Sequence, residues 1–200
     1  MTERAGALLA LWNDVTPALD ATYNAWHAQE HVPERCTVPG ILWGRRFGQT
    51  QSGAMPRYLT LYGLRDAAVL DSAAYQRLLS EPTPASRAMR PELCNLSRWV
   101  CRLDAEGDTA HGSHLLVATF VSQTDADAAL GKLPVSAISS ALRGLRLHDA
   151  SPLPWLRSGQ DKAVEGEVLL CLPVSAQDSE EAARRLGDVV VYARLPVGGG

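Results

Sequence analysis

The sequence predicts an α+β protein in which two ferredoxin-like βαββαβ repeats pack sheet to sheet as one α/β barrel. Three observations point there. The hydrophobic patterns of the first half alternate as β-α-β-β-α-β, and the same order recurs after a polar linker. A four-stranded sheet with both helices on one face leaves its other face bare, so a second sheet has to cover it.

The elements follow in order. Residues 8–12 are short and apolar, as a buried strand is. Thr16, Pro17 and Asp20 supply a capping hydroxyl, a first-turn proline and an early acid, so a helix is expected over 18–31, ending at Pro33. Pro39 and Gly40 make a turn into a strand over 41–48, and a second strand over 57–64 follows a polar link at 49–56. Asp66 opens a helix whose Ala68, Ser72, Tyr75 and Leu79 share one face; Pro82 and Pro84 end it. A strand over 93–103 completes the first repeat, residues 1–104. After the linker at 104–112, the second repeat, residues 113–197, reads as a strand at 114–121, a helix at 124–133 and a strand at 142–148. A loop carrying Pro, Trp and Gly then leads to a strand at 167–173, a helix at 178–186 and a valine-rich strand at 188–195. The glycines at 198–200 read as a frayed tail.

Composition narrows the function. An apolar fraction of 46% supports a core, and a net charge of −3 with no basic block recruits neither a phosphate backbone nor an anionic membrane. The N-terminal apolar run is too short for a signal peptide, and no stretch reaches the length of a membrane span. Cys36, Cys94, Cys101 and Cys171 form no CxxC pair, so reduced thiols in a cytoplasmic protein are expected. No GxGxxG, Walker loop or GxSxG elbow occurs, which disfavours nucleotide chemistry and serine hydrolysis.

The chemistry-bearing residues gather in the first half. On a helical wheel Leu19, Tyr23 and Trp26 make an apolar stripe, while Asn24, His27 and His31 share a flank. Imidazoles four residues apart have Cβ atoms about 6 Å apart and can share a site. Glu30 falls inside the apolar stripe and needs a partner, for which Arg45 or Arg46 is the candidate. Residues 27–31 spell H-x-x-E-H, a pattern of inverted zinc peptidases, but Pro33 follows at once and no third ligand declares itself, so no zinc peptidase is expected; no metal is assigned, and another divalent ion on His27 and His31 is the alternative. Alternation puts Trp43, Arg45 and Phe47 on one face of their strand and Arg46 on the other. Tyr58, Thr60 and Tyr62 oppose Leu59 and Leu61. The aromatic-polar faces are expected to line the barrel interior, with Asn95, Ser97 and Trp99 joining them from the last strand. His111, His114 and His148 read as structural, and Arg87 as a solvated loop charge.

The segments YNAWHAQEHVPER (23–35), PGILWGRRF (39–47), PRYLTLYGL (56–64) and SEPTPASRAMRP (80–91) resemble the dimeric α/β-barrel superfamily, in particular its EthD-like and uncharacterised bacterial members. The resemblance covers residues 7–103. It implies paired sheets around a cavity. It also implies a range of activities: isomerases, lactone-acting enzymes, polyketide cyclases and cofactor-free monooxygenases, with haem binding in some relatives. The expected function is a cofactor-independent enzyme acting by acid–base chemistry on a small oxygenated or aromatic metabolite. It would be an isomerase, cyclase, decarboxylase or lactone-acting enzyme. Alternatives are a cofactor-free monooxygenase and a non-catalytic ligand-binding module. His31 is the expected acid/base, with Asn24 and Tyr62 polarising an oxygen. Arg46 would hold an anionic group, and His27, Trp43, Tyr58 and Trp99 would complete the substrate-binding set. The expected partner is a small molecule, neither nucleic acid nor membrane, and the chain is expected to be a monomer or to dimerise through an outer surface.

Overall fold

The computed structural model describes residues 3–105, 107, 109, 111–149, 153–157, 159, 160 and 164–198. The last two glycines of the expected tail, and residues 106, 108 and 110 of the expected linker, lie outside the described residues. The strands are β1 (Ala7–Asp14), β2 (Ile41–Gln49), β3 (Tyr58–Leu64), β4 (Cys94–Ala105), β5 (His114–Phe120), β6 (Leu142–Leu147), β7 (Val168–Val174) and β8 (Val190–Leu195). Helices α1 (Asp20–Trp26) and α2 (Val32–Arg35) flank a π-helical turn, His27–His31, between β1 and β2. Helices α3 (Ala73–Ser80) and α4 (Pro84–Met89) lie between β3 and β4. Helices α5 (Gln123–Leu130) and α6 (Val135–Ser140) lie between β5 and β6, and α7 (Ser179–Leu186) between β7 and β8.

All strand pairs are antiparallel, and the sheet closes on itself in the order β1-β3-β2-β8-β5-β7-β6-β4. Two seams join the halves: β2 pairs with β8 from Arg46↔Leu195 to Gln49↔Tyr192, and β4 pairs with β6 from Val100↔Leu147 onward. Closure leaves no free strand edge among the described residues.

Period-2 alternation sorts the side chains into three cores. One draws on all eight strands and fills the barrel interior, with Trp12, Trp99, Phe47 and Tyr192 as its largest members. A second lies between β1, β3 and the helices of the first half, and a third between β5, β7 and the helices of the second. This assignment corrects an expectation. Leu59 and Leu61 point into the barrel, whereas Tyr58 and Tyr62 lie under the helices. Eight converging strands fill their interior with apolar bulk, and the Tyr58 hydroxyl finds its partners, Asn24 and Asp20, on the helix side.

The first helix also departs from expectation. It does not stop at Pro33 but continues through Arg35. The N–H of Val32 reaches back to the carbonyl of His27, one residue further than in an α-helix. The widened turn accommodates the ring of Pro33, which inside an α-helix would clash with the carbonyl four residues earlier. No helix among the described residues is long and apolar enough to cross a membrane.

Candidate active site

The site is built where the π-helical turn crosses the outer face of β1, β2 and β3. Widening the turn brings residues four apart into register, and three rings stack along it. Tyr23 and His27 have centroids 5.0 Å apart and His27 and His31 5.1 Å, both pairs inclined by only 19°. Trp26 flanks His31 at 4.5 Å. π-turns of this kind recur at functional sites because they re-aim side chains.

Arg46 reaches this stack from β2. Its Nε donates to His27 Nδ1 at 2.7 Å and its Nη2 to Asn24 Oδ1 at 2.7 Å. Asn24 Nδ2 donates to the Tyr58 hydroxyl at 2.8 Å, and that hydroxyl donates to Asp20. The polar chain therefore runs Asp20–Tyr58–Asn24–Arg46–His27, fixing the guanidinium beneath the histidines. A guanidinium nitrogen only donates, so His27 Nδ1 must accept and the imidazole is neutral, with its proton on Nε2. Burial first, then Arg46 and Arg35, holds His27 well below the usual histidine range. Burial likewise lowers His31, reinforced by Arg35, His27, Arg90 and Arg46.

His31 lines a small cavity of about 40 Å³ walled by leucines, Trp26 and Trp155, with Arg35 and Arg90 at its edge. The imidazole is half-buried, yet its Nδ1 is fully buried and without a hydrogen-bond partner among the described residues. A larger cleft of about 330 Å³ adjoins it, sharing Tyr75, Leu79 and Leu153.

The structure thus gathers Asn24, His27, His31, Arg46 and Tyr58, but it revises several expected placements. Asn24 and Tyr58 spend their polar atoms within the chain that holds Arg46 rather than on the cavity. Tyr62 shares their face, packed beside Val32 and Cys36 where Gly44 allows close approach: a Cβ there would lie 2.7 Å from Val32 and 3.1 Å from the Tyr62 ring. Its hydroxyl is buried without a partner among the described residues, and burial pushes its pKa up. Trp43 and Trp99 lie on the other side of the sheet. Trp99 is fully buried in the barrel interior against Trp12, its Nε1 donating to the carbonyl of Val164 at 3.2 Å. Trp43 packs on Gly63, where no side chain could fit, with Arg45 over its ring. Neither tryptophan can touch a ligand beside His31, because the sheet separates them. Ser97 does reach inward, accepting from the N–H of Val164 at 3.2 Å.

Glu30 pairs with no arginine of β2. It accepts from the Thr83 hydroxyl, with Ser86 Oγ at 3.5 Å, because the longer π-turn carries its carboxylate toward the start of α4. The H-x-x-E-H trio consequently does not converge: the imidazoles stack, Arg46 occupies a lone pair of His27, and Glu30 faces away. At about 40 Å³, the space beside His31 is by itself smaller than a porphyrin.

Sequence reasoning missed Arg35, Arg90 and Trp155. Arg35 and Arg90 sit in the quoted segments 23–35 and 80–91, but only packing shows that they turn inward, 4% and 6% exposed. Trp155 arrives from the loop between β6 and β7, in the second half, where the sequence pattern marks no site residue.

No family pattern and no curated protein sequence matches the chain. Among solved structures, an anthrone oxidase-like protein shares 14% identity and a TM-score of 0.56, covering 94% of this chain and 90% of that one. A candidate monooxygenase from Fusobacterium nucleatum shares 10% identity and a TM-score of 0.57, covering 98% and 95%. A candidate chlorite dismutase shares 8% identity and a TM-score of 0.53, covering 96% and 95%. At these identities the likeness is one of fold, and that fold agrees with the superfamily the first-half segments resemble.

Proposed function

We propose that the chain is a small-molecule enzyme that abstracts and returns a proton through His31, acting without a cofactor on a small oxygenated or aromatic metabolite. The first half carries the site and the second half supplies part of its cover. The observation that supports this reading best is the buried Nδ1 of His31, unpartnered among the described residues, beside a cavity flanked by Arg35 and Arg90. A neutral imidazole can accept a proton at neutral pH. Its low basicity means that the resulting anion must be stabilised for transfer to proceed, and fixed guanidiniums in an apolar pocket do this. Arg35 and Arg90 therefore take the anion-holding role expected of Arg46. Arg46 instead keeps His27, stacked on His31, neutral and immobile.

The product depends on where the anion is quenched. Reprotonation at another carbon is isomerisation, and attack on an internal carbonyl is cyclisation. A second reading, a cofactor-free monooxygenase, shares the first step and sends the anion to dioxygen. The anthrone oxidase-like and monooxygenase names among the fold neighbours favour it.

The first prediction tests the shared step. An enolisable aromatic ketone, 2-tetralone deuterated beside its carbonyl, is incubated with the protein and its deuterium followed by NMR. Exchange should exceed the buffer rate, and His31→Ala should lower it by roughly 10²–10⁴-fold while the chain stays folded. Binding without exchange would leave a ligand-binding module instead.

A further inference from the structure

Apart from Trp12, whose ring lies in the barrel interior, two residues lining the cavity with His31 carry a buried nitrogen that lacks a hydrogen-bond partner among the described residues: Trp155 at Nε1 and Arg90 at Nε. Both are obligate donors. They come from opposite halves of the chain, and both are held in place by contacts that leave these N–H groups unused. Arg90 spends Nη1 on the carbonyl of Leu79 at 2.8 Å and Nη2 on that of Leu78 at 2.9 Å, which fixes the guanidinium plane. Its Cζ sits 5.2 Å from the centre of the Trp155 ring. The loop carrying Trp155 is pinned to the first half by Gln160. The side-chain amide nitrogen of Gln160 shares its two N–H groups among the carbonyls of Arg90, Pro91 and Leu93, and the backbone carbonyl of Gln160 accepts from the N–H of Leu96 at 2.8 Å.

We infer that Trp155 and Arg90 form an oxygen-recognition pair, two fixed N–H donors that receive the carbonyl or phenolic oxygen of an aromatic substrate whose proton His31 takes. The inference rests on the reading of His31 given above and deepens it. Buried N–H groups in native proteins are nearly always satisfied, so a matched pair at one cavity specifies what completes it: an acceptor atom, not a donor or a cation. The guanidinium charge further favours an oxygen on which negative charge develops, and donors held rigid before reaction need no reorganisation during it. Size fits the same class. The space of about 40 Å³ takes the oxygen end, and the adjoining cleft of about 330 Å³, reached past Tyr75, Leu79 and Leu153, takes the rings. Because one donor belongs to the second half, the first half alone holds an incomplete site.

The experiment compares 2-tetralone with tetralin, the same bicycle without the oxygen, by calorimetric titration of the full chain. The wild type should bind the ketone about tenfold more tightly than the hydrocarbon. Trp155→Phe keeps a ring over Arg90 and removes only the N–H. It should erase most of that preference while tetralin affinity stays within about twofold. In ¹H–¹⁵N spectra, the indole signal missing from Trp155→Phe should shift when 2-tetralone is added and stay put with tetralin. Equal affinity for both probes, no binding of 2-tetralone, or a preference unchanged in Trp155→Phe would each overturn the assignment. The two readings fail separately: an oxygen preference that survives in a protein without deuterium exchange sinks the acid–base role of His31 and keeps the donor pair.

Discussion

The bond from Arg46 Nε to His27 Nδ1 sets the electrostatics of the site. It requires a neutral imidazole, and the consequence should show in the pH dependence of stability. Both histidines sit well below their usual range in the folded chain, through burial and then the neighbouring arginines, while in the unfolded chain they titrate normally. Below about pH 6.5 the unfolded state therefore binds protons that the native state refuses, and stability falls as pH falls. Above about pH 7 both states are neutral and these groups contribute no slope. Each histidine should remove about 1.4 kcal/mol per pH unit within that window. Urea midpoints at pH 7.5, 6.5 and 5.5 should show the decline, and His27→Gln should be shallower than wild type by one histidine's share. An equal slope in the variant would mean that His27 is protonated in the native state. At this scale the sequence was partly legible. Helical spacing placed Asn24, His27 and His31 on one flank, and alternation separated Arg46 from Arg45. What it could not supply was which hydrogen bonds close. Asn24 and Tyr58 carry groups suited to polarising a substrate, but here they complete a chain of internal bonds that holds an arginine.

Among the elements, the π-helical turn explains most of what the pattern left hidden. Glu30 looked misplaced in an apolar stripe because the wheel assumed 3.6 residues per turn. With one extra residue in the turn, the carboxylate swings to Thr83, whose hydroxyl also caps α4 by accepting from the N–H of Ser86 at 3.1 Å. Trp26 Nε1 donates to Ser86 Oγ at 3.3 Å, so the same junction steadies the ring that flanks His31. Thr83→Ala should cost about 1–2 kcal/mol, as loss of a cap does, with Thr83→Ser restoring most of it in urea melts. A neutral outcome for Thr83→Ala would show that Glu30 needs no partner there. Strand β3 teaches a different limit. Period-2 alternation states that Tyr58 and Tyr62 face away from Leu59 and Leu61, and it is symmetrical about which face is inside. Only the closure of eight strands, which demands apolar bulk in the middle, decides that the leucines go in.

Closure governs the molecule as a whole. An isolated four-stranded sheet of this kind must find a second sheet, and here it finds one within the chain, through the β2–β8 and β4–β6 seams. The interior is occupied by side chains from all eight strands, Trp12, Trp99 and Cys101 among them, each with at most 1% of its surface exposed. No bare sheet face and no free strand edge remains among the described residues to recruit another copy. The chain should therefore be a monomer, or pair only through its outer helical surface. Small-angle scattering and sedimentation across a wide concentration range are expected to report a mass near 21.6 kDa. The halves should also unfold together, because the interior core and both seams are shared between them. Circular dichroism and tryptophan fluorescence should give coincident urea transitions, since Trp12, Trp43 and Trp99 report the barrel and Trp155 reports the second-half loop docked on the first-half helices. Two separated transitions, or a dimer whose interface buries the first-half sheet face, would mean that the seams do not close in solution. In that case the donor from the second half would no longer meet the histidine from the first.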